Sequence, residues 1–309
     1  MKRNPAPISA TALVAVLSVL GSGSVLAADS ERIESRELTA AAGGTLTFKA
    51  VSGSVEVKTH DRDVVAYEAV LKPGRLSFGD KVVDLLEFDY TESDGNVRIG
   101  MRWKDGKSPK NANLQASHTV WVPARYHVDV RTAGGGIRGS DLQGRVVAQT
   151  SGGSIQWQRV EGDLEAQTSG GNITVDAIRG RVKMTTSGGT IQADHVDGDL
   201  TGTTSGGSIK LNAIHGTIRA QTAGGSINAG LSDGASGPVV LSTSGGSIRL
   251  TVPGDFKADL RAATSGGRVS CDLPVQGTIK GSSVVGQVNG GGPEVSLNTS
   301  GGSIHVAKR

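Results

Sequence analysis

A short motif returns at a fixed spacing through more than half of this chain. It reads T-S-G-G or T-A-G-G, and its Thr serves here as position zero. The copies come in five steps of 18 residues and then two steps of 21, and a degraded copy centred on Ser283 brings the total to ten. The intact copies begin at Thr132, Thr150, Thr168, Thr186, Thr204, Thr222, Thr243, Thr264 and Thr299. A fixed period of this length is the signature of a repeat architecture.

The residues around each motif alternate between apolar and polar. Leu164 and Ala166 precede Thr168, and Ile173 and Val175 follow it, with a polar residue between the members of each pair. This period of two is typical of strands with one buried face, here on both sides of a Gly-Gly pair. A second Gly lies six residues before the Thr, as Gly144 does. Each unit therefore predicts a strand, a Gly-Gly corner, a strand and a Gly corner.

One such unit cannot bury its apolar face alone, but stacked units can. The prediction is an all-β fold, a parallel β-solenoid (β-helix) of about ten coils of 18–21 residues, forming a rod of roughly 45–50 Å at the usual strand spacing. The 46 Gly, 3% aromatic and 36% hydrophobic residues suit a thin aliphatic core. An antiparallel sandwich of hairpins is the alternative. The constant spacing favours coils.

The region 29–131 is less regular and predicts a divergent N-terminal β cap on the repeats of 132–309, because an open solenoid end needs covering. LTFKAVSGSVEV fits the repeat with Ala50 at position zero, and FDYTESDGNVRI fits with Glu92 there and Val97 and Ile99 inward. Extra strands are expected at 63–71 and 117–122, and loops at 72–81 and 104–113. The sequence indicates no linker between the two regions.

The first residues predict a signal peptide over 1–28. Lys2 and Arg3 precede a short apolar run, and cleavage is expected after Ala27 or Ala28. The protein is therefore expected to be exported, to the periplasm or the cell surface, without stable membrane insertion after cleavage. Removing two positive residues lowers the formal charge from +3 to +1 (3 − 2), which argues against a nucleic-acid partner.

A search for catalytic motifs points away from an enzyme. The chain has no P-loop, no H-E-x-x-H, no C-x-x-C and no G-x-S-x-G, and its six His show no metal-ligand spacing. We therefore expect no cofactor and no metal. The single Cys271 allows no intramolecular disulfide and falls at an inward position, as a buried, inert thiol. Trp157 is likewise predicted to lie in the core.

Stacking brings residues at equal offsets into columns, and two kinds of outward column are of interest. In the first, charges alternate from coil to coil, as in Arg145, Asp163 and Arg181, which predicts a ladder of ion pairs in preference to a charged ligand groove. In the second, Asp176 and Asp194 fall one coil apart with His195 beside them. These three are candidates for acid–base chemistry on a glycan or for holding a cation. The alternative is two solvated surface aspartates.

The repeated motif itself is predicted to be structural. Thr150 is in phase with the inward residues, so its hydroxyl is expected to satisfy backbone groups at the corner. Gly152 and Gly153 let the chain turn, and replacing Gly152 is expected to lower stability and to leave any specific activity intact.

Four features together resemble a known family: the exported start, the VSGSVEV coil, the stretch VPARYHVDVRTAGGGI (122–137) and the serial T-S-G-G-S-I coils. The resemblance covers about 36–306 and is to the DUF4097 "putative adhesin" family, β-strand-repeat proteins of bacterial envelopes. It implies a surface or periplasmic β-solenoid with a role in adhesion or envelope stress. We therefore expect a non-enzymatic scaffold for envelope interaction or adhesion, with an envelope protein or glycan as its partner. Two alternatives remain: a glycan-binding or carbohydrate-active protein using the outward Asp ladder, and a self-assembling envelope protein. For the latter, His305, Lys308 and Arg309 are expected to discourage edge pairing at the last coil.

Overall fold

The computed structural model describes residues 25–27, 31–74, 80–106, 108 and 113–309. Within them it contains 28 strands and one short 3-10 helix. The elements are β1 (Val25–Ala27), β2 (Glu31–Thr39), β3 (Thr45–Ala50), β4 (Ser54–His60), β5 (Val64–Pro73), η1 (Asp80–Leu85), β6 (Leu86–Ser93), β7 (Asn96–Trp103), β8 (Leu114–Pro123), β9 (His127–Thr132), β10 (Ile137–Gln143), β11 (Val146–Thr150), β12 (Ile155–Glu161), β13 (Leu164–Gln167), β14 (Ile173–Arg179), β15 (Val182–Thr185), β16 (Ile191–Asp197), β17 (Leu200–Thr203), β18 (Ile209–Ile214), β19 (Ile218–Thr222), β20 (Ile227–Leu231), β21 (Val239–Thr243), β22 (Ile248–Val252), β23 (Ala258–Thr264), β24 (Val269–Cys271), β25 (Val275–Lys280), β26 (Ser283–Val288), β27 (Glu294–Thr299) and β28 (Ile304–Lys308).

The strands form two sheets of 14, and the fold is the predicted parallel β-solenoid. Sheet A has the order β1-β2-β5-β8-β4-β10-β12-β14-β16-β18-β20-β22-β28-β24. Sheet B has the order β25-β26-β23-β27-β21-β19-β17-β15-β13-β11-β9-β3-β7-β6. In each coil the strand before the motif Thr belongs to sheet B and the strand after the Gly-Gly corner to sheet A. Equivalent strands of successive coils pair in parallel, as β12 does with β14, so the sandwich of hairpins is excluded.

At the N-terminal end the register of one coil is confirmed and that of the next is wrong. Ala50 pairs with Thr132 and therefore occupies position zero. Ala50 also pairs with Met101, so Met101 occupies that position in the next coil, not Glu92. Val97 and Ile99 are buried, as expected. Every second residue points inward in both strands of a coil. Burial of Val97 and Ile99 therefore fits a strand before position zero as well as a strand after it.

Antiparallel strands close this end. β5 and β2 continue sheet A beyond β8, and β6 continues sheet B beyond β7. The expected extra strands are present as β5 and β8, while half of the predicted loops 72–81 and 104–113 lies outside the described residues, and β5 extends to Pro73. Of the predicted signal peptide, only β1 and its pairing with β2 are described. None of the described residues forms a helix long and apolar enough to span a membrane.

At the other end, the order of the coils in space departs from their order in the chain. The coil of Thr299, β27 and β28, lies between the coil of Thr243 and the coil of Thr264 in both sheets. The prediction of a coil around Ser283 is wrong: β26 pairs antiparallel with β23 and with β25. This segment instead forms an antiparallel hairpin from β25 and β26.

The core is a single cluster of mainly aliphatic side chains that extends from Leu38 to Val306. Trp157 is fully buried within it, as predicted, and its ring lies against the space left by Gly139. One inward column was not predicted. It lies ten residues after the motif Thr and consists of Leu142, Val160, Ile178, Val196 and Ile214.

The two glycines of a Gly-Gly corner differ in how much space each leaves for a side chain. A Cβ at Gly153 would lie 2.2 Å from the carbonyl oxygen of Gly135 in the preceding coil, closer than van der Waals contact permits. A Cβ at Gly152 would lie 3.5 Å from the nearest atom, an ordinary contact. The expectation that Gly152 is essential to the corner is therefore wrong, and Gly153 is the residue that requires the absence of a side chain.

The motif threonines clamp successive coils together, as predicted. Thr204 is 3% exposed, and its Oγ1 donates to the carbonyl oxygen of Gly189, 2.9 Å away. Thr204 Oγ1 also accepts the N–H of Gly207 at 3.3 Å. Every motif threonine donates in this way to a backbone carbonyl of the neighbouring coil, and the seven from Thr168 onward also accept a backbone N–H of their own coil.

Candidate functional site

The outer face of sheet B carries a long column of uncharged polar side chains. They occupy the position just before the motif Thr, one per coil, and all are exposed or half-buried. We call this column the polar ladder, and it consists of Gln149, Gln167, Thr185, Thr203, Gln221, Ser242 and Asn298. Parallel pairing spaces its members at about 4.8 Å. The face is thus a regular array of hydrogen-bonding groups on a rigid sheet.

A shallow trough lies at one end of the polar ladder. It has a volume of about 460 Å³ and is lined by Gln149 and Gln167 together with Lys49, Arg131 and Ser151, among others. The Arg131 guanidinium is held by both carboxylate oxygens of Asp129, at 2.9 and 3.0 Å. This hydrogen-bonded pair raises the pKa of Arg131, so a fixed cation borders the trough.

Beside the ladder, the alternating charges form ion pairs between coils, as predicted. Arg181 lies 2.6 Å from Asp163, and Lys183 lies 2.9 Å from Glu165. The hydrogen bond from Arg181 holds the pKa of Asp163 below its ordinary value. Because each charge is neutralised by its neighbour, this part of the face offers little net field to a ligand.

The three predicted candidates come together on sheet A. Asp176 and Asp194 are register partners on β14 and β16. His195 Nδ1 lies 3.0 Å from Asp176 Oδ1, and Gln192 donates to Asp194 Oδ2 at 2.9 Å. His195 and Asp176 are 67% and 44% exposed, so the group lies on open surface. Each aspartate has a neighbouring side chain as its partner, which accounts for the arrangement as surface packing.

His195 belongs to a bend in sheet A that the repeat pattern does not predict. Nine residues after the motif Thr, five successive coils place a residue other than glycine in the left-handed region, with φ between 51° and 63°: Asp141, Arg159, Ala177, His195 and Ala213. Such residues are strained by about 1 kcal/mol each. The alternation of inward and outward side chains shifts by one residue at this bend, and the shift creates the additional inward column ten residues after the motif Thr.

The bend borders a groove along the solenoid axis, the bend groove, with a volume of about 820 Å³. Arg159, Ala177, His195, Ala213 and His215 are among its lining residues. Arg159 bonds both carboxylate oxygens of Asp141, at 2.5 and 2.8 Å. These hydrogen bonds, followed by one from Ser140, lower the pKa of Asp141 to about 2.

Three further side chains have a shifted pKa, and none of them forms a reactive centre. His118 is 1% exposed, its Nε2 lies 3.0 Å from the carbonyl oxygen of Ser52, and its Nδ1 lies 3.0 Å from the Tyr67 hydroxyl. Burial lowers the pKa of His118 to about 4 and raises that of Tyr67. Cys271 is half-buried, and burial raises the pKa of its thiol, which disfavours the reactive thiolate. No group of metal-binding side chains occurs among the described residues.

The family profile of Toastrack DUF4097 matches residues 44–307, which is most of the chain. The chain belongs to the Toastrack DUF4097 family. This membership agrees with the resemblance carried by the repeat and with the parallel coils of the structure. No curated protein matches the sequence significantly.

Several solved structures are similar to this member of the family. One is a "putative lipid binding protein" from Parabacteroides distasonis ATCC 8503, with 15% identity, coverage of 89% of this chain and 96% of that one, and a TM-score of 0.44. Another is a "putative adhesin" from Bacteroides fragilis NCTC 9343, with 13% identity, coverage of 90% and 97%, and a TM-score of 0.42. A "putative adhesin" from Parabacteroides distasonis ATCC 8503 has 12% identity, the same coverage and the same TM-score.

Proposed function

We propose that this protein is exported and acts at the cell envelope as a non-enzymatic interaction scaffold of the adhesion type, with the outer face of sheet B as its binding surface. The polar ladder is the observation that supports the proposal. Seven uncharged hydrogen-bonding side chains in a straight column suit contact with an extended envelope polymer or protein. The clamped corners hold the column rigid, so binding orders few side chains and loses little entropy.

The test compares two triple variants of the purified protein in binding to isolated bacterial envelopes. In the first, Gln167→Ala, Thr185→Ala and Thr203→Ala remove the centre of the polar ladder. The matched control, Gln156→Ala, Thr174→Ala and Gln192→Ala, removes similar outward groups from sheet A. We expect the first variant to lose most envelope binding and the control to keep it. Equal binding by both variants would exclude the outer face of sheet B as the binding surface.

A glycan-binding role for the bend groove is the second candidate. His195 lies on the wall of the groove and is hydrogen-bonded to Asp176, and the groove follows the solenoid axis, as a linear polysaccharide could. In this case Asp176→Asn and Asp194→Asn should abolish retention of envelope polysaccharide, whereas substitutions in the polar ladder should not. Unchanged polysaccharide binding and turnover in both Asn variants would end this candidate.

A further inference from the structure

The C-terminal end of sheet B presents an unpaired strand edge. β25 pairs with β26 on one side, and no described strand pairs with its other side. Five of its six residues are exposed. A row of free N–H and C=O groups along such an edge is a template for another strand.

The expected protection of this edge is missing. His305, Lys308 and Arg309 were predicted to lie at the end of the solenoid, but β28 pairs with β22 on one side and β24 on the other, so that prediction is wrong. β25 has one charged residue, Lys280 at its end, and no proline. The opposite end of the molecule differs, because the charged Arg32 and Glu34 are partly buried there and form an ion pair at 3.2 Å.

The same edge exposes apolar surface. Ile279 is 63% exposed, the largest value among the large apolar side chains of the described residues. Val275 lies on the same face of β25, four residues away, and is half-buried. A strand added to this edge would cover both side chains.

The sequence of β25 is symmetric about Gly277, reading apolar, polar, Gly, polar, apolar in V-Q-G-T-I. If two copies of the strand pair antiparallel about Gly277, Val275 of each lies opposite Ile279 of the other. Gln276 likewise lies opposite Thr278. Apolar residues then meet on one face and polar residues on the other, with no like charges opposed, which is the pattern that stabilises antiparallel pairs.

We propose that two copies of this chain associate through β25, antiparallel about a two-fold axis at Gly277, so that sheet B continues from one molecule into the next. The interface is isologous, because the β25 edge of each copy pairs with the β25 edge of the other. Neither β25 edge then remains free, so assembly stops at the dimer. The partner that fits this surface is therefore a second copy of the chain, and Ile279 is the side chain that the joint covers.

Register-specific cross-linking tests the pairing. In a Cys271→Ser background, one full-length sample has Gln276→Cys and another has Thr278→Cys, and each is oxidised with diamide alone and after mixing. We expect a disulfide-linked dimer mainly in the mixture. In an unmixed dimer the introduced Cys faces the unchanged Thr278 or Gln276 of the other copy, whereas in a mixed dimer the two introduced Cys face each other. Comparable yields in the unmixed samples, or no cross-link in the mixture, would overturn the proposal.

Sedimentation of the unmodified chain gives the second test. We expect a concentration-dependent mass that levels off at twice the monomer, and Ile279→Lys should weaken association at least about tenfold, because it removes an apolar cross-strand pair on each side of the axis. The control Thr203→Lys places the same charge on an outward strand position away from the end and should leave association unchanged. A wild-type monomer at every concentration, growth beyond a dimer, or equal effects of both variants would each contradict two-fold pairing through β25.

Discussion

The regular coils and the two ends of the molecule differ in which side chains they bury and which they leave exposed. In the coils, the buried polar side chains are the motif threonines, each hydrogen-bonded to backbone at a corner. Near the N-terminal end, His118 is buried between Ser52 and Tyr67 beside a cluster of aromatic rings. At the C-terminal end, an antiparallel hairpin replaces the coil and leaves Ile279 exposed.

The difference shows what repetition accomplishes. Within the coils each group has an identical neighbour above and below, so one solution at one corner serves all of them. An end has a neighbour on one side alone, and its sequence must supply individual contacts. Stability in the coils should therefore depend on backbone geometry, and stability near the N-terminal end on specific side chains.

The largest expected effect comes from a side chain at the tight corner glycine. Gly153→Ala brings a methyl group within 2.2 Å of the Gly135 carbonyl oxygen, and relieving that overlap requires two coils to separate. We expect a loss of about 3 kcal/mol or more in the free energy of unfolding. Gly152→Ala is the control and should change it by less than about 0.5 kcal/mol. Chemical denaturation of both variants measures the difference, and equal losses would contradict the corner geometry.

The next effect is a pH dependence from the N-terminal end. In the folded state the pKa of His118 is lowered from 6.5 to about 4, so below pH 6.5 the unfolded chain binds a proton that the folded chain does not. The free energy of unfolding should therefore fall as the pH drops from 6.5 to 4, by up to about 3 kcal/mol. Urea titrations across this range measure the slope. His118→Gln should flatten it, and an unchanged slope in that variant would assign the effect to another group.

A smaller effect is expected at the threonine clamp. Thr204→Val keeps the shape of the side chain but leaves the Gly189 carbonyl and the Gly207 N–H without their partner. We expect a loss of about 2 kcal/mol in the free energy of unfolding. Thr203→Val, the adjacent outward position, is the matched control and should be neutral or slightly stabilising. Thermal unfolding of the pair measures the difference, which would vanish if the hydroxyl contributed nothing.

The smallest effect belongs to the ion-pair ladder. Arg181 and Asp163 are largely solvated, and water and salt screen their attraction. A double-mutant cycle with Arg181→Ala and Asp163→Ala should give a coupling below all the effects above, and high salt should remove it. A large, salt-insensitive coupling would show that the charges hold the coils in register.

The sequence was sufficient to predict the coils because their physics is local and repeated. A period of two around a Gly-Gly pair, returning every 18 residues, determined which side of Thr150 and Ile155 faces the core. It also placed Asp176 next to Asp194. Each of these inferences needs the phase of the repeat and nothing else.

Three features could not be read in this way. The left-handed bend uses Ala177 and His195, which carry no glycine signature, so the inward column one step beyond them was missed. The step of 21 from Thr243 to Thr264 resembles the step of 21 from Thr222 to Thr243, although in the structure a third coil lies between the later pair. Position zero of the second N-terminal coil was placed at Glu92 and lies at Met101 for the same reason, because strand pairing and not spacing determines it. Spacing identifies the members of a repeat, but which of them are neighbours depends on contacts between distant segments.

The inserted coil also constrains the order of events during biosynthesis. Residues 258–271 are made before residues 294–308, yet the later segment lies beneath the earlier one in both sheets. The coils from Thr132 to Thr243 can stack in chain order as they emerge from the ribosome. The coil of Thr264 has to wait, or else detach from a premature partner and make room. Assembly in chain order is thus interrupted here, and a chain that stopped before residue 294 would be left with a gap that its own hairpin cannot fill.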